Sequence, residues 1–559
     1  MTRMSDDTAA KGPANDYQVV VIGFGPSGAV ASCLLGSHGL RTLAIDRLRD
    51  VYDKPRAIAI DHEIMRHLDN LGIAGRVKPH VAPFPASQHF GAQGQLIRRI
   101  DMVPEPYPQG YVPSMVFSQP PVEAAIREHA ASYSSVTVEL GVEWVGLEQR
   151  EDGVALQLRG DEGATRTVNA DYVIACDGAS SGIRQQLGIG FDDLVFDEPW
   201  LVVDLLVDED ALSRLPPTAA QYCDPARPTT YIIGPGAHRR WEIMLLPGED
   251  PQQMETPEQV WRLLARWLTP DEATLWRAAS YRFHALVARE WRRGRVFLAG
   301  DAAHQQPPFI GQGMCQGLRD VTNLVWKLAR VIEGRSGDAL LDSYGEERGA
   351  HVAELTSRIK AIGHVICERD PMAAKARDAR LLGEGGGVAR TMTRQEIVPK
   401  LTRGLLALDQ MASGTLFPQP WLRNGAAGQR NSAPWLRDSA GRVLMDARHG
   451  TGWRLVIDGR GGLAPSAQAI EDARGVPMKI ITIVPDDDAR GDAAAPHSRE
   501  LDGIVARWFD THACHAALIR PDHYVYGVAE DSASLTELTG RLMRQLRSQN
   551  HPRRPDETC

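Results

Sequence analysis

The stretch RVFLAGDAAHQQPPFIGQGMCQGLRDVTNLVWK, residues 295–327, decides which fold this chain is predicted to adopt. Its apolar start, residues 296–298, predicts a short buried strand that ends at Gly300 and Asp301. A carboxylate at the carboxyl end of a strand is well placed for a ligand, because open α/β sheets bind ligands outside those strand ends. The stretch therefore predicts a cofactor site.

The second half of this stretch predicts a loop and a helix. Pro308 excludes an immediate helix, and Gly311 and Gly313 let the backbone turn tightly before a helix begins at Met314. Backbone amides at a helix start attract an anion. Apolar residues then recur at helical spacing, which predicts a packed face: Val321, Leu324, Val325, Leu328 and Val331.

The amino-terminal part of the chain carries a dinucleotide-binding pattern. A β-branched run, residues 17–22, leads into GFGPSG, and Asp46 ends the next predicted strand, where an acid binds ribose hydroxyls. An arginine there would indicate a 2′-phosphate, so FAD or NAD is favoured over NADP. A Rossmann turn that binds no nucleotide is the alternative. The pattern assigns these residues to the cofactor: Gly23, Gly25, Pro26, Ser27, Gly28, Asp46 and Arg47.

A third strand, residues 172–176, ends in Asp177 and Gly178 and precedes a serine-rich helix start. The three segments, in this order, resemble the FAD motifs of the flavoprotein aromatic hydroxylases. An ordinary strand-loop-helix crossover would need neither the acid of GDAAH nor the glycines that follow. The resemblance implies that Asp301 binds the ribityl chain and that the amides of residues 311–314 approach the pyrimidine edge of the flavin. It also implies that Asp177 and Gly178 serve both FAD and the nicotinamide cofactor.

Two further cofactor contacts and one proton carrier are expected from the same resemblance. Arg56, in a Pro-Arg-Ala segment, is expected close to the flavin, with a surface arginine capping a turn as the alternative. Gln119 is expected against the phosphates or the ribityl chain. His62 follows near the start of a helix whose predicted face includes Ile60, and it is a candidate proton carrier. A solvated histidine at a helix start is the competing interpretation of His62.

Residues 200–247 alternate as short strands with Pro and Gly at the turns, which predicts an inserted antiparallel sheet that covers the flavin. Arg240 begins the third strand, where its guanidinium is a candidate partner of a substrate carboxylate, with a solvent-facing pair as the alternative. Tyr222 is a candidate phenol partner, although tyrosines on sheets commonly pack in the core. The motifs YCDPARP, RRWE and LPGE resemble the 3-(3-hydroxyphenyl)propionate hydroxylases.

The predicted fold class is α/β, with a Rossmann-like FAD-binding domain, an inserted antiparallel sheet and a thioredoxin-like carboxyl-terminal domain. That last domain lacks a redox cysteine pair, because Cys514 has no cysteine nearby. It is expected to pack against the body of the protein or a second subunit. The predicted divisions are a flexible terminus (1–15), the FAD domain (16–85, 110–190 and 286–368), the substrate domain (86–109 and 191–285), a linker or helical region (369–429) and the last domain (430–559).

The resemblance implies that NADH or NADPH reduces FAD, that O2 forms a flavin hydroperoxide, and that a phenol is hydroxylated ortho to its hydroxyl group. His62 or Tyr222 is the expected proton relay, with Arg240 binding the substrate. Two alternatives stay open: a different phenol or aromatic natural-product precursor as substrate, and a non-catalytic protein that binds flavin and holds a reactive intermediate. A flavin halogenase is disfavoured, because the W-x-W-x-I-P signature is absent.

Composition narrows the partners. The formal net charge is -9 without a long basic run, so neither nucleic acid nor an anionic membrane is an expected partner. The seven cysteines are scattered without a C-x-x-C pair, which indicates reduced thiols and no zinc site. The polar start and the lack of a long apolar run predict a cytoplasmic protein without a membrane span. Whether it forms a homodimer stays open.

Overall fold

The computed structural model describes residues 15–84, 86–423, 441–487 and 497–548. Apart from Asn15, the amino-terminal segment predicted to be flexible lies outside the described residues. Cys559 also lies outside them.

A mainly parallel sheet forms the centre of the amino-terminal domain, and its inner strands are buried because their residues are almost all apolar. Val20 lies opposite both Val173 and Leu43 in this sheet. The sheet contains β1 (Tyr17–Ile22), β2 (Thr42–Asp46), β8 (Val136–Leu140), β9 (Glu143–Gln149), β10 (Val154–Arg159), β11 (Thr165–Ala175), β17 (Arg292–Arg293) and β18 (Val296–Leu298). Because β18 pairs with β11 and β11 with β1, the ends of all three motif strands meet at one edge.

Helices pack around this sheet and extend into the rest of the chain. They are α1 (Pro26–Ser37), α2 (His62–Asn70), α3 (Ala74–Val77), α4 (Gln119–Ala131), α5 (Gly182–Gln186), α6 (Glu209–Leu212), α7 (Pro251–Met254), α8 (Pro257–Leu264), α9 (Gly313–Ile332), α10 (Asp342–Cys367), α11 (Pro371–Glu384), α12 (Arg394–Ile397), α13 (Met445–His449), α14 (Ala467–Gly475), α15 (Ile504–His512) and α16 (Ser532–Ser548). The helix α9 is largely buried and packs against α1.

One local prediction needs correction. Ile60 was assigned to a helical face, but it lies in a strand, and the helix begins at His62, capped by Asp61. The strand forms because its backbone pairs with residues 114–117 in a small separate sheet. That sheet contains β3 (Ala59–Asp61), β4 (Val81–Pro83) and β7 (Ser114–Phe117).

The inserted sheet is a single antiparallel layer over most of its width. It contains β5 (Ala86–Phe90), β6 (Leu96–Asp101), β12 (Phe191–Val207), β13 (Ala219–Tyr222), β14 (Thr229–Ile233), β15 (His238–Met244), β16 (Ala273–Ala288), β19 (His304–Gln305) and β20 (Arg390–Thr393). The last of these strands comes from the region predicted to be a linker, and it pairs with β6. Alternate residues of β12, such as Leu201 and Val203, enter a separate apolar core on the face away from the flavin domain.

The carboxyl-terminal domain is a third sheet flanked by helices. It contains β21 (Trp421–Arg423), β22 (Arg442–Leu444), β23 (Arg454–Asp458), β24 (Lys479–Pro485), β25 (Ser498–Glu500), β26 (Ala516–Ile519) and β27 (Val525–Ala529). Its first strand precedes residue 430, where the domain was predicted to begin. The domain packs on the flavin domain through buried ion pairs, including Arg66–Asp446 at 2.7 Å and Arg520–Glu347 at 2.6 Å.

Within the described ranges, no helix combines the length and apolar character needed to cross a membrane. The same described residues contain no group of three or more His, Cys, Asp and Glu side chains arranged to hold a metal ion.

Candidate active site

A cavity of about 720 Å³ lies between the flavin-domain sheet and the inserted sheet, a size typical of a site for a small molecule or cofactor. Its walls contain nearly all of the residues that the sequence assigned to a cofactor: Gly23, Gly25, Pro26, Ser27, Asp46, Arg47, Arg56, Gln119, Asp177, Gly178, Gly300, Asp301, Pro308, Gly311, Gly313 and Met314. Gly28 is not part of the wall. A Cβ atom at Gly28 would overlap the carbonyl oxygen of Gly23, so this glycine permits the close packing of helix and strand.

The backbone along this wall is open enough to admit a nucleotide. A Cβ atom added at Gly25, Gly178 or Gly313 would meet no atom within 4 Å, although all three residues line the cavity. Gly178 also has a φ of 83°, a conformation that favours glycine. These residues come from three separate motifs and border the same space. The wall therefore fits a long ligand that approaches the backbone closely, as FAD does.

Asp46 and Arg127 form the end of the cavity expected to hold the nucleotide. The backbone N–H of Phe24 donates to one Asp46 oxygen at 2.8 Å, and that of Leu48 donates to the other at 2.8 Å. Arg127 is buried and donates to Glu123 at 2.7 Å, while its Nε and Nη1 atoms have no hydrogen-bond partner in the described part of the chain. Because Arg127 lines the cavity, these unused donors suit a phosphate group.

Gln119 holds the loop that presents Arg56. Its side-chain oxygen accepts hydrogen bonds from the backbone N–H groups of Arg56 at 3.1 Å and Ala57 at 2.6 Å. Its amide nitrogen donates to Glu123 at 2.9 Å. Gln119 therefore fixes the path of the loop, while the exposed side chain of Arg56 lies at the cavity wall.

The turn at Asp301 is held in place by a buried charged residue. Asp320 accepts hydrogen bonds from the N–H of Gly300 at 2.9 Å, from His304 at 2.8 Å and from Arg348 at 2.8 Å. Burial would raise the pKa of Asp320, but His304 and Arg348 outweigh burial and the pKa is lowered. Asp301 itself lines the cavity, and desolvation by the surrounding protein raises its pKa. The rigid support of Gly300 thus orients Asp301 toward a ligand.

The start of α9 is fixed by a second buried network. Arg319 donates to the side chain of Gln312 at 2.9 Å and to Glu63 at 2.6 Å, and it also pairs with Asp61. Gln312 is the residue before the helix, whose first residues, Gly313 and Met314, line the cavity. The positive end of the helix dipole therefore faces the ligand space.

Arg240 lies on the inserted sheet at the cavity wall, but protein atoms already engage its guanidinium. It donates to Asp204 at 2.7 Å, to the carbonyl oxygen of Arg56 at 2.8 Å and to that of Pro55 at 2.9 Å. Arg277 shares Asp204 at 3.6 Å and also contacts Pro55. Arg240 thus fastens the loop of Arg56, and little of its donor capacity remains for a substrate carboxylate.

The two candidate proton carriers are not brought into the cavity wall. His62 is buried outside it, and burial lowers its pKa to about 4, so its ring is neutral at pH 7. Tyr222 lies on the far face of the inserted sheet, where its ring stacks on Phe90 and contacts Trp267. A strand places alternate side chains on opposite faces, and the sequence does not show which face meets the flavin domain.

Three cavity residues with chemical potential were missed in the sequence: Arg127, Glu242 and Arg277. Arg127 forms an i,i+4 pair with Glu123, and such a pair in a sequence resembles an ordinary exposed helix pair. Glu242 and Arg277 follow the alternation of their strands without any distinguishing motif. Their placement depends on which side of the sheet faces the cavity.

This arrangement defines a flavin-binding oxidoreductase class, and comparison with known proteins agrees. The FAD binding domain family matches residues 16–359, and the HcaD C-terminal domain family matches residues 414–545. The chain is 33% identical over 530 residues to a probable NADH-specific resorcinol 4-hydroxylase of Rhodococcus jostii, covering 94% of each chain. It is 32% identical over 525 residues to a 3-(3-hydroxy-phenyl)propionate/3-hydroxycinnamic acid hydroxylase of Burkholderia vietnamiensis, covering 91% of this chain and 93% of that one.

Among solved structures, the fold resembles the flavin-dependent monooxygenase PieE in complex with FAD and substrate. The TM-score is 0.77 at 22% identity, covering 95% of this chain and 100% of PieE. The chain belongs to the family of FAD-dependent aromatic hydroxylases, and it is a flavin monooxygenase. The predicted family and the predicted FAD cofactor are thereby confirmed.

Proposed function

We propose that this monooxygenase uses NAD(P)H and O2 to hydroxylate a phenolic aromatic acid, such as 3-(3-hydroxyphenyl)propionate, at the ring position ortho to the hydroxyl group. The observation that carries the proposal is the cavity, because three FAD-type motifs line one wall and the inserted sheet covers the other. Two relatives are named for their action on resorcinol and on 3-(3-hydroxyphenyl)propionate, which are both phenols.

The reaction consumes one phenol, one O2, one NAD(P)H and one proton, and it yields a dihydroxylated ring, NAD(P)⁺ and water. Bound FAD would accept two electrons from the nicotinamide and supply the reaction of those electrons with O2. The task of the chain is to position the substrate and keep the site dry. Val202, Ile232 and Phe283 provide apolar surface on the sheet wall for this purpose.

Several residues of the wall have specific parts in this proposal. Arg127 would bind a phosphate, Asp46 the ribose and Asp301 the ribityl chain, while Gln119 orients the loop of Arg56. The start of α9 would stabilise negative charge on the flavin by about 0.3–1 kcal/mol through the helix dipole.

A substrate carboxylate requires a cation on the sheet wall. Arg240 was the predicted partner, but its contacts with Asp204 and the 55–56 backbone make Arg277 the better candidate. The Nε atom of Arg277 is buried and has no hydrogen-bond partner among the described residues. Arg277 lines the cavity from β16. We therefore assign the carboxylate of an aromatic acid to Arg277.

The test is a set of turnover measurements on the purified, FAD-loaded protein. NADH and NADPH oxidation are followed with 3-(3-hydroxyphenyl)propionate, 3-hydroxycinnamate and resorcinol, and products are identified by mass spectrometry and NMR. Phenol-stimulated NADH oxidation with an ortho-dihydroxylated product is the expected result. A yellow protein that no phenol stimulates would instead favour the non-catalytic flavin-binding alternative.

The role of Arg277 is checked separately with two substrates. Arg277→Met is expected to raise the KM for 3-(3-hydroxyphenyl)propionate by about 10- to 100-fold, since it removes a charge-assisted contact worth about 1.5–3 kcal/mol. Resorcinol has no carboxylate, so its KM should change much less. Equal losses for both substrates would show that Arg277 supports the loop rather than binding the acid.

A further inference from the structure

We propose that Glu242 is a catalytic residue of this hydroxylase: its carboxylate accepts a hydrogen bond from the phenol group of the substrate and then takes the proton. This inference rests on the proposed function, because it assumes a phenolic substrate. It assigns the proton acceptor to a residue of the inserted sheet that carries no sequence motif.

Glu242 lies in the middle of the sheet wall. It stands on β15 opposite Val202 of β12 and Thr230 of β14, and residues directly opposite in a sheet share a face. Val202 and Glu242 both line the cavity. Glu242 is only 2% exposed, and its Oε2 atom has no hydrogen-bond partner within the described part of the chain.

A buried carboxylate oxygen without a donor is costly, and such atoms are uncommon in proteins. The neighbouring hydroxyl of Thr230 does not serve it, because that hydroxyl donates to Gln221. A ligand in the cavity that carries an O–H group would supply the missing donor. A phenol is such a ligand, and it would leave its apolar ring against the apolar part of the same wall.

The electrostatic surroundings of Glu242 suit a proton acceptor at neutral pH. The charged groups that face it are Arg240 on its own strand, Asp204 on β12 and Arg277 on β16, whereas β14 contributes only the uncharged Thr230. Burial raises the pKa of Glu242 to about 7, with Arg240 and Arg277 opposing the rise and Asp204 adding to it. A base with a pKa near the working pH is efficient in proton transfer.

The proton transfer is balanced within the site. The phenol O–H bond breaks as an O–H bond forms on Glu242, and the electron pair stays on the phenolate oxygen, where the ring delocalises it to the ortho carbon. After oxygen transfer, that carbon loses its own proton and the ring becomes aromatic again. Glu242 returns its proton to the phenolate oxygen of the product.

The first test compares Glu242→Gln with Glu258→Gln. The first variant removes the carboxylate with little change of shape, and the second does so at an exposed position of the same domain. At pH 7, E242Q should lower kcat for resorcinol by about 100-fold or more, in line with the loss of a general base, while E258Q keeps the wild-type rate. E242Q should also lose the rise of kcat between pH 6 and 8. An E242Q variant that keeps the wild-type rate and pH profile would overturn the proposal.

A second measurement needs no variant and no turnover. Resorcinol binding to the oxidised, FAD-loaded wild-type protein is measured by the change in flavin absorbance between pH 6 and 8. The carboxylate form accepts the phenol hydrogen bond, so the affinity should rise about tenfold over this interval if the pKa is near 7. An affinity that is constant over this interval would contradict the proposal even if E242Q did not fold.

The two levels of inference fail in different ways. If the proposed function is wrong, no phenol stimulates NADH oxidation by the wild-type protein. If only the role of Glu242 is wrong, the wild-type protein turns over while E242Q retains its rate or resorcinol binds equally well at every pH.

Discussion

Tyr524 of the carboxyl-terminal domain donates a hydrogen bond of 2.8 Å to Glu63 of the flavin domain, 461 positions earlier in the chain. The other oxygen of Glu63 accepts from Arg319, which in turn donates to Gln312 at the start of α9. The carboxyl-terminal domain therefore reaches the flavin-facing end of α9 through three side chains. This gives the domain a structural role that requires no redox cysteine.

Replacement of Tyr524 by Phe should loosen this connection. It removes the donor and leaves a buried oxygen of Glu63 without it, so the free energy of unfolding should fall by about 1–3 kcal/mol. Urea denaturation followed by flavin fluorescence measures the change. Tyr133→Phe is the control, because the partly exposed Tyr133 hydroxyl contacts only His129 in the described structure. Equal effects of the two variants would argue against the connection.

Asp204 should be far more important for stability than Asp197 on the same strand. Asp204 is fully buried and contacts Arg240, His238 and Arg277. Asp204→Asn leaves these groups without their counter-charge and should cost about 3–5 kcal/mol of unfolding free energy. Asp197 makes a similar pair with Arg282 at 2.6 Å on the exposed surface, and D197N should cost at most about 1 kcal/mol. Similar values for both variants would refute the argument.

Glu347 should make the protein sensitive to acid. Burial would raise its pKa, but Arg520 and Lys327 outweigh burial and lower the pKa to about 2. A carboxyl whose folded pKa is depressed contributes stability above its unfolded pKa, and that contribution is lost as the pH falls through the folded value. Wild-type stability should therefore decline between pH 5 and pH 2. The stability gap between wild type and Glu347→Gln, measured by urea denaturation, should narrow over the same interval; a constant gap would exclude this linkage.

Gly25→Val tests whether the glycine-lined wall holds FAD. The added side chain meets no protein atom within 4 Å at its Cβ position, so it projects into the cavity without disturbing the fold. It should weaken FAD binding by about 1–3 kcal/mol, which corresponds to about 10- to 100-fold. Flavin absorbance during titration measures the affinity. Gly146→Val, at a position with equal room but outside the cavity, should leave FAD binding unchanged.

Much of the cofactor wall was predictable because its signals are local. Gly23, Gly178 and Gly311 occupy backbone conformations with positive φ that favour glycine, and Asp46 ends a strand whose apolar residues mark it as buried. Such constraints act between neighbours in the chain, so they leave a pattern in the sequence. The order of the three motifs then indicates the class of cofactor.

The substrate side was much less predictable. Tyr222 and Glu242 both lie on strands that the sequence indicated, yet Tyr222 lies on the far face and Glu242 on the cavity wall. Alternation shows that two faces exist, but the packing partner of each face comes from distant parts of the chain. The engagement of Arg240 by Asp204 and the 55–56 backbone is likewise invisible without the folded structure.

The sequence by itself determined the α/β class, the nucleotide-binding wall and the family, because glycine spacing and strand-end acids reflect local backbone geometry. Only the tertiary structure decided which side chains meet the substrate and how the last domain supports α9. Those contacts join residues hundreds of positions apart, and their energies depend on burial that exists only after the sheets and helices have packed.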